Sequence, residues 1–248
     1  MIKTFFFEIG QYWMFMRQVF LKPQKFDMFF KRFINECYQI GIGSLGIVSI
    51  MSVFIGAVIT LQTAYNIDSW YIPPYTVGFT ARQSIILEFS PTIISLILAG
   101  IVGSKISSEI GSMRVSQQID ALDIMGVNSA GFLVLPKVTG AVFMFPFLIA
   151  ISMFLGLLGG LVFGWLTGEI TAERYIYGVQ YYFNDYAVKY ALTKTLFFAF
   201  IITSIASYYG YYTSGGSIDV GKSSTKAVIV SSIFILLVNY LLTQLLLI

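Results

Sequence analysis

The run GSIDVGKS, from Gly216 to Ser223, satisfies the phosphate-loop pattern of glycine, four residues, then Gly-Lys-Ser. In such a loop backbone N–H groups cradle nucleotide phosphates, the lysine meets the outer phosphates and the hydroxyl holds Mg²⁺. Catalysis there also needs an acidic metal ligand further along, and no Asp or Glu follows Asp219. Asp120 and Asp123 are the other candidates, as a carboxylate pair. The chain has no histidine, so a histidine base, triad or metal ligand is excluded, and no nucleophile flanks the two aspartates. Cys37 is the single cysteine, which rules out an intramolecular disulfide. The expectation is no catalytic residue, no metal site and no cofactor held by this chain.

The flanks decide how the glycine-rich run is read. A phosphate loop joins a buried strand to a helix in a soluble α/β domain. Here the segments before and after, FFAFIITSIASYYGYY and AVIVSSIFILLVNYLLTQLLLI, are both long enough to cross a bilayer. The match is therefore a glycine-rich turn between two membrane helices, with Lys222 and Lys226 as interfacial anchors. Composition agrees. Charged residues make up 11% of the chain against about 25% in soluble domains, and 57% is hydrophobic, so lipid is the surrounding solvent. A net charge of +3 is too small to suggest nucleic acid.

The spacing predicts an all-α membrane protein. Residues 1–40 mix basic residues with Phe5, Ile9, Tyr12, Met16 and Val19 at helical spacing, broken at Pro23. They read as an amphipathic region in the membrane surface, or as a soluble amphipathic helix packed on a partner. The first residues lack the pattern of a cleavable signal. Residues 41–248 hold five predicted spans, at about 42–65, 84–106, 133–167, 191–212 and 227–248. The third is too long for one straight crossing, and Pro136 and Pro146 are expected to bend it. Placing the N-terminus inside puts eleven of the Lys and Arg residues on the inner side and four outside, namely Arg82, Arg174, Lys189 and Lys194. Gly156, Gly160, Gly164 and Gly168 form a small-residue stripe against a neighbour that the sequence leaves open.

The segment EIGSMRVSQQIDALDIMGVN, residues 109–128, is polar between two spans. Ser116 is the predicted N-cap of a short helix, and Gly126 its left-handed stop. Val115, Ile119, Leu122 and Met125 share one face, with Arg114, Gln117 and Asp120 elsewhere. Such a helix either transmits force from a docked soluble partner or seals the bundle end.

The stretch LEFSPTIISLILAGIVGSKISSEIGSMRVSQQIDALDIMGV, residues 87–127, resembles the MlaE/YrbE family of lipid-transport ABC permeases. The family's marks are matched by Glu88, Pro91, Ala99, Gly100, Gly103, Ser104, Glu109, Gly111, Met113, Gln118, Ala121 and Met125. The likeness extends to Lys22-Pro23, FIGAVITLQ at 54–62, LPKVTGAV at 135–142, and Gly221, Lys222, Thr225 and Lys226. One departure is Ile101, where the family commonly has arginine; Lys105, four residues on, lies on the same helix face. Lys105 either restores that charge or snorkels to the interface.

The resemblance implies an interfacial helix followed by five membrane helices in the bacterial inner membrane, N-terminus cytoplasmic and C-terminus periplasmic. It implies a homodimer moving phospholipids between inner and outer membranes, with ATP and Mg²⁺ on a separate cytoplasmic ABC ATPase dimer. A periplasmic MCE-domain protein, and often a STAS-domain protein, complete that assembly. The expected coupling residues are Glu109, Arg114, Gln117, Gln118, Ile119, Asp120, Leu122 and Met125. The expected lipid-pathway residues are Gln62, Glu88, Pro91 and Lys105. The alternative is a membrane-embedded scaffold for a lipid-binding or envelope complex; a membrane enzyme lacks a catalytic cluster.

Overall fold

A computed structural model describes residues 2–21, 26–67 and 72–247, and among these there is no strand. The order is α1 (Ile2–Leu21), α2 (Phe26–Asn66), α3 (Thr76–Val115), α4 (Gln118–Ile124), α5 (Ser129–Leu166), α6 (Ala172–Gln180), α7 (Asp185–Tyr211) and α8 (Ser217–Leu247). Helices α2, α3, α5, α7 and α8 are each long and apolar enough to cross a membrane. All five overlap the predicted spans, and each is longer than predicted or begins earlier.

The differences are informative. The predicted break at Pro23 lies outside the described residues. Residues 26–40, read with the amphipathic region, are continuous with the first span: α2 runs 41 residues, ~60 Å at 1.5 Å per residue, about twice a bilayer's hydrocarbon. Its N-terminal part is held by Arg32, whose guanidinium lies 3.5 Å from the Phe132 ring centroid. Helix α5 runs unbroken through Pro136 and Pro146.

In α3 the chain widens into π-helical turns over Ile85–Ile93 and again over Ala99–Gly103. The first contains Pro91, which has no N–H to give and whose ring crowds the carbonyl four residues back; a wider turn relieves the clash.

The most extensive helix pairing is the α2–α5 seam. A Cβ on Gly56 would sit 1.8 Å from the Gly156 carbonyl oxygen, and one on Gly159 2.3 Å from that of Val53. Gly160 meets Thr60 in the same seam. The glycine stripe thus faces α2 of the same chain, and close backbone approach replaces side-chain volume. Gly164 packs against Ile170 and Thr60. Gly168 lies beyond the helix end, at φ 77°, and belongs to the turn instead.

On the far side of the seam Phe145 and Leu148 of α5 and Phe198 and Ile202 of α7 are fully buried or nearly so. Helix α8 is the least covered span, with 11% of its apolar window buried. At one end of the bundle α6 closes against α3, where Arg82, 2% exposed, donates to the carbonyls of Val179, Tyr181 and Tyr182.

Candidate functional site

The opposite end carries α4. Helix α3 stops at Ser116, which is its C-cap and not the predicted N-cap of α4; its hydroxyl turns back to the Ser112 carbonyl at 2.8 Å. The N-cap is Gln117, at φ 59°, a left-handed conformation that reverses the chain at some cost for a residue with a Cβ. Gly126, at φ 75°, ends α4 as predicted. Its N–H donates to the Asp123 carbonyl and that of Val127 to the Leu122 carbonyl, the two bonds of a Schellman stop.

The predicted apolar face of α4 divides. Ile119 is fully buried and Leu122 partly so, but Val115 is 38% exposed and Met125 68%. Ile124, on the open side, is 87% exposed. Arg114 reaches over the α3–α4 turn to Asp120 at 2.6 Å, tying the two helices, with both side chains still open to solvent. Gln117 and Gln118 are exposed. Glu109 is turned away from α4. Its carboxylate accepts from Lys137 of α5 at 2.8 Å, and the same ammonium donates to Glu36 of α2 at 2.8 Å. One buried lysine therefore joins three spans where α3 approaches the α4 end.

A second polar cluster lies inside the spans. The Lys194 ammonium is fully buried, and its three protons meet Glu88 at 2.9 Å, the Tyr190 hydroxyl at 2.8 Å and the Thr243 hydroxyl at 3.2 Å. Thr92 and Asn239 each donate to Glu88 at 3.2 Å. A buried ammonium is tolerated because every donor has a partner. Glu88 is the open member, with 40% of its side chain exposed. Lys194, expected among the outer-side cations, belongs to this internal cluster. Lys194, Tyr190, Asn239 and Thr243 were missed; the legible signal was a lysine and an asparagine within apolar runs.

The four predicted pathway residues do not converge. Pro91 is buried beside Glu88 in the widened turns. Lys105 lies seventeen residues along α3, roughly 25 Å from Glu88 by helical rise. It lines a cavity of about 50 Å³ together with Ile101, Glu36 and Glu109, so Ile101 and Lys105 do share one face. Gln62 is exposed on α2, outside both clusters.

The phosphate-loop match resolves into a turn and a helix. Thr213–Gly216 make the turn, while Gly221, Lys222 and Ser223 fall in the first turns of α8. Asp219 already occupies the Gly216 N–H at 3.3 Å and accepts from Lys222 at 3.1 Å. Two groups a phosphate would need, the Gly216 N–H and the Lys222 ammonium, thus already face an acid of the first turn of α8. In α1, Tyr12 donates to Ser204 at 2.8 Å; burial pushes its phenol above the ordinary value, the hydrogen bond opposing this.

Five apolar crossings, with charge clusters that lock helices to one another, define a multi-span helical membrane protein. The family follows from comparison. The pattern described as Permease MlaE matches residues 33–245, and the chain belongs to that family. A probable ABC transporter permease protein of Rickettsia bellii is 36% identical over 88% of this chain and 84% of its own length. Another, from Synechocystis, is 33% identical over 92% of this chain and 86% of its own. The chloroplastic protein trigalactosyldiacylglycerol 1 of Arabidopsis thaliana is 26% identical over 92% of this chain and 65% of its own length.

Proposed function

We propose that this chain is the membrane subunit of an ATP-driven lipid transporter, moving phospholipids between the inner and outer membranes of a bacterium. Two copies form the permease in the inner membrane, N-termini cytoplasmic and C-termini periplasmic. A separate ATPase pair, carrying ATP and Mg²⁺, docks on α4 from the cytoplasm. A periplasmic MCE-domain protein receives or delivers the lipid, and a STAS-domain protein completes the assembly. Glu88, Pro91, Gln62 and Lys105 are the pathway residues; Glu109, Arg114, Gln117, Gln118, Ile119, Asp120, Leu122 and Met125 couple the ATPase stroke to the spans.

The observation that carries the reading is the build of α4. It starts at the left-handed turn of Gln117, stops at Gly126, is fixed inward by Ile119 and tied to α3 through Arg114–Asp120, and yet leaves Ile124 and Met125 open. Force applied to that open face passes directly into α3, whose widened turns hold Glu88. Membership of a family whose relatives are named ABC transporter permeases supplies the ATPase. The Arabidopsis relative, named for a diacylglycerol glycolipid, supports a lipid cargo.

The test is co-reconstitution with the cognate ATPase in vesicles, reading ATP hydrolysis and lipid transfer together. Arg114→Glu and Asp120→Arg should each lower stimulated hydrolysis, and the double exchange should restore part of it. Both side chains are more than a third exposed, so the pair contributes only about 0.2–1 kcal/mol to stability and unfolding would not explain a loss. Unchanged stimulation in both single variants removes the pair from coupling; ATP-independent transfer removes the ATPase from the mechanism.

A further inference from the structure

Helices α1, α7 and α8 enclose a cleft of about 280 Å³ that none of the foregoing uses. Each wall is a helical stripe. On α8 it runs Lys226, Val230, Phe234; on α7, Tyr209, Ile205, Ile201. Both stripes step by four residues, so both present one face, and both are polar at the α4 end and apolar for ~12 Å beyond it. Helix α1 closes the cleft with Glu8, Ile9 and Tyr12. Polar groups at one level above apolar walls are the imprint of an amphiphile with its head at the membrane face.

The headgroup level carries one cation and one anion. Lys226 Nζ lies 3.1 Å from Glu8 Oε1 and 4.9 Å from the Tyr209 ring centroid, and the lysine and glutamate side chains are 53% and 39% exposed. We propose that this cleft holds a resident zwitterionic aminophospholipid from the leaflet on the α4 side, its phosphate on Lys226 and its ammonium on Glu8. The site is separate from any transported lipid. A zwitterion exchanges the Lys226–Glu8 pair for two new pairs and strands neither charge. An anionic lipid with a glycerol head offers Lys226 a partner but sets its phosphate against Glu8. A choline head carries the right charge with no N–H to donate, so a primary ammonium is the better fit.

The experiment is native mass spectrometry of the full chain, delipidated in detergent and re-equilibrated with an equimolar mixture of phosphatidylethanolamine and phosphatidylglycerol. Wild type should retain the ethanolamine lipid several-fold over the glycerol lipid. Glu8→Gln should abolish or invert that preference, and Val230→Trp, which fills the apolar wall, should lower retention of both lipids. Equal retention by wild type overturns the proposal, as does a preference that survives Glu8→Gln, or a wild type that retains neither lipid. The wild-type result stands without any variant having to fold. Failure here leaves the transport reading untouched, because that reading is judged by ATP-dependent transfer.

Discussion

Lys137→Met severs the ionic tie among α2, α3 and α5, and its cost follows from burial. Lys137 is 3% exposed and Glu36 14%, so removing the ammonium leaves a carboxylate inside the bundle without a bonded partner, Arg32 one turn away on α2 being the remaining nearby cation. Breaking a buried pair from one side costs ~3–5 kcal/mol. Glu109, 45% exposed, can turn to water, which sets the expectation at the lower end, about 3 kcal/mol or roughly a hundredfold in the opening equilibrium. A reporter is built in. Cys37, the only cysteine, is next to Glu36, half-buried, with Sγ 3.9 Å from the Gly140 carbonyl across the α2–α5 seam. Labelling by a thiol-reactive dye tracks the open population when closing is faster than reaction. Labelling should therefore accelerate in Lys137→Met by up to about a hundredfold, with reaction of the half-buried thiol in the closed state setting the baseline. Adding Glu36→Gln, which removes the stranded charge, should recover most of the difference, the signature of direct coupling. A Lys137→Met variant that labels no faster than wild type, or a double variant that labels as fast as Lys137→Met, would refute the reasoning.

Other outcomes follow from the same geometry. Gly56→Ala should destabilise by at least ~1–3 kcal/mol, because the new methyl meets the Gly156 carbonyl, while Gly46→Ala, with nothing within 4 Å, should be near neutral; thermal unfolding in detergent separates them. Glu88→Gln should cost ~3 kcal/mol by leaving the buried Lys194 ammonium with neutral partners only, and Glu88→Gln with Lys194→Met should be milder than either single change, read by the same melts. Gly126→Ala should loosen the end of α4 by about 1 kcal/mol, since its φ of 75° disfavours a Cβ, visible as faster hydrogen exchange over residues 118–127 with the spans unchanged.

Much of the fold is legible in the chain itself. Five crossings, the lipid solvent and the polar interruption at 109–128 are local sums over windows of residues, and apolar length alone fixes them. Gly126 as a left-handed stop is equally local. The boundaries were less legible: nothing in the sequence marks residue 40 as lying inside a helix, and Ser116 has the chemistry of a cap but serves the helix before it.

The candidate site divides in the same way. Glu88 is visible from sequence as a carboxylate within a span, but its partner Lys194 is 106 residues away, and Lys137 finds Glu36 across 101 residues. Those pairings depend on which helices are neighbours, and in lipid almost any apolar face can pack against almost any other. The glycines on α5 announce a close approach without naming its partner; the tertiary structure supplies it, because only a helix that itself yields backbone at Gly56 can come so near. Sequence determined where this protein lives and which residues are costly to keep there. The packing of α2, α3, α5, α7 and α8 decided how each buried charge is satisfied, since charge compensation is a property of distances that the order of residues does not contain.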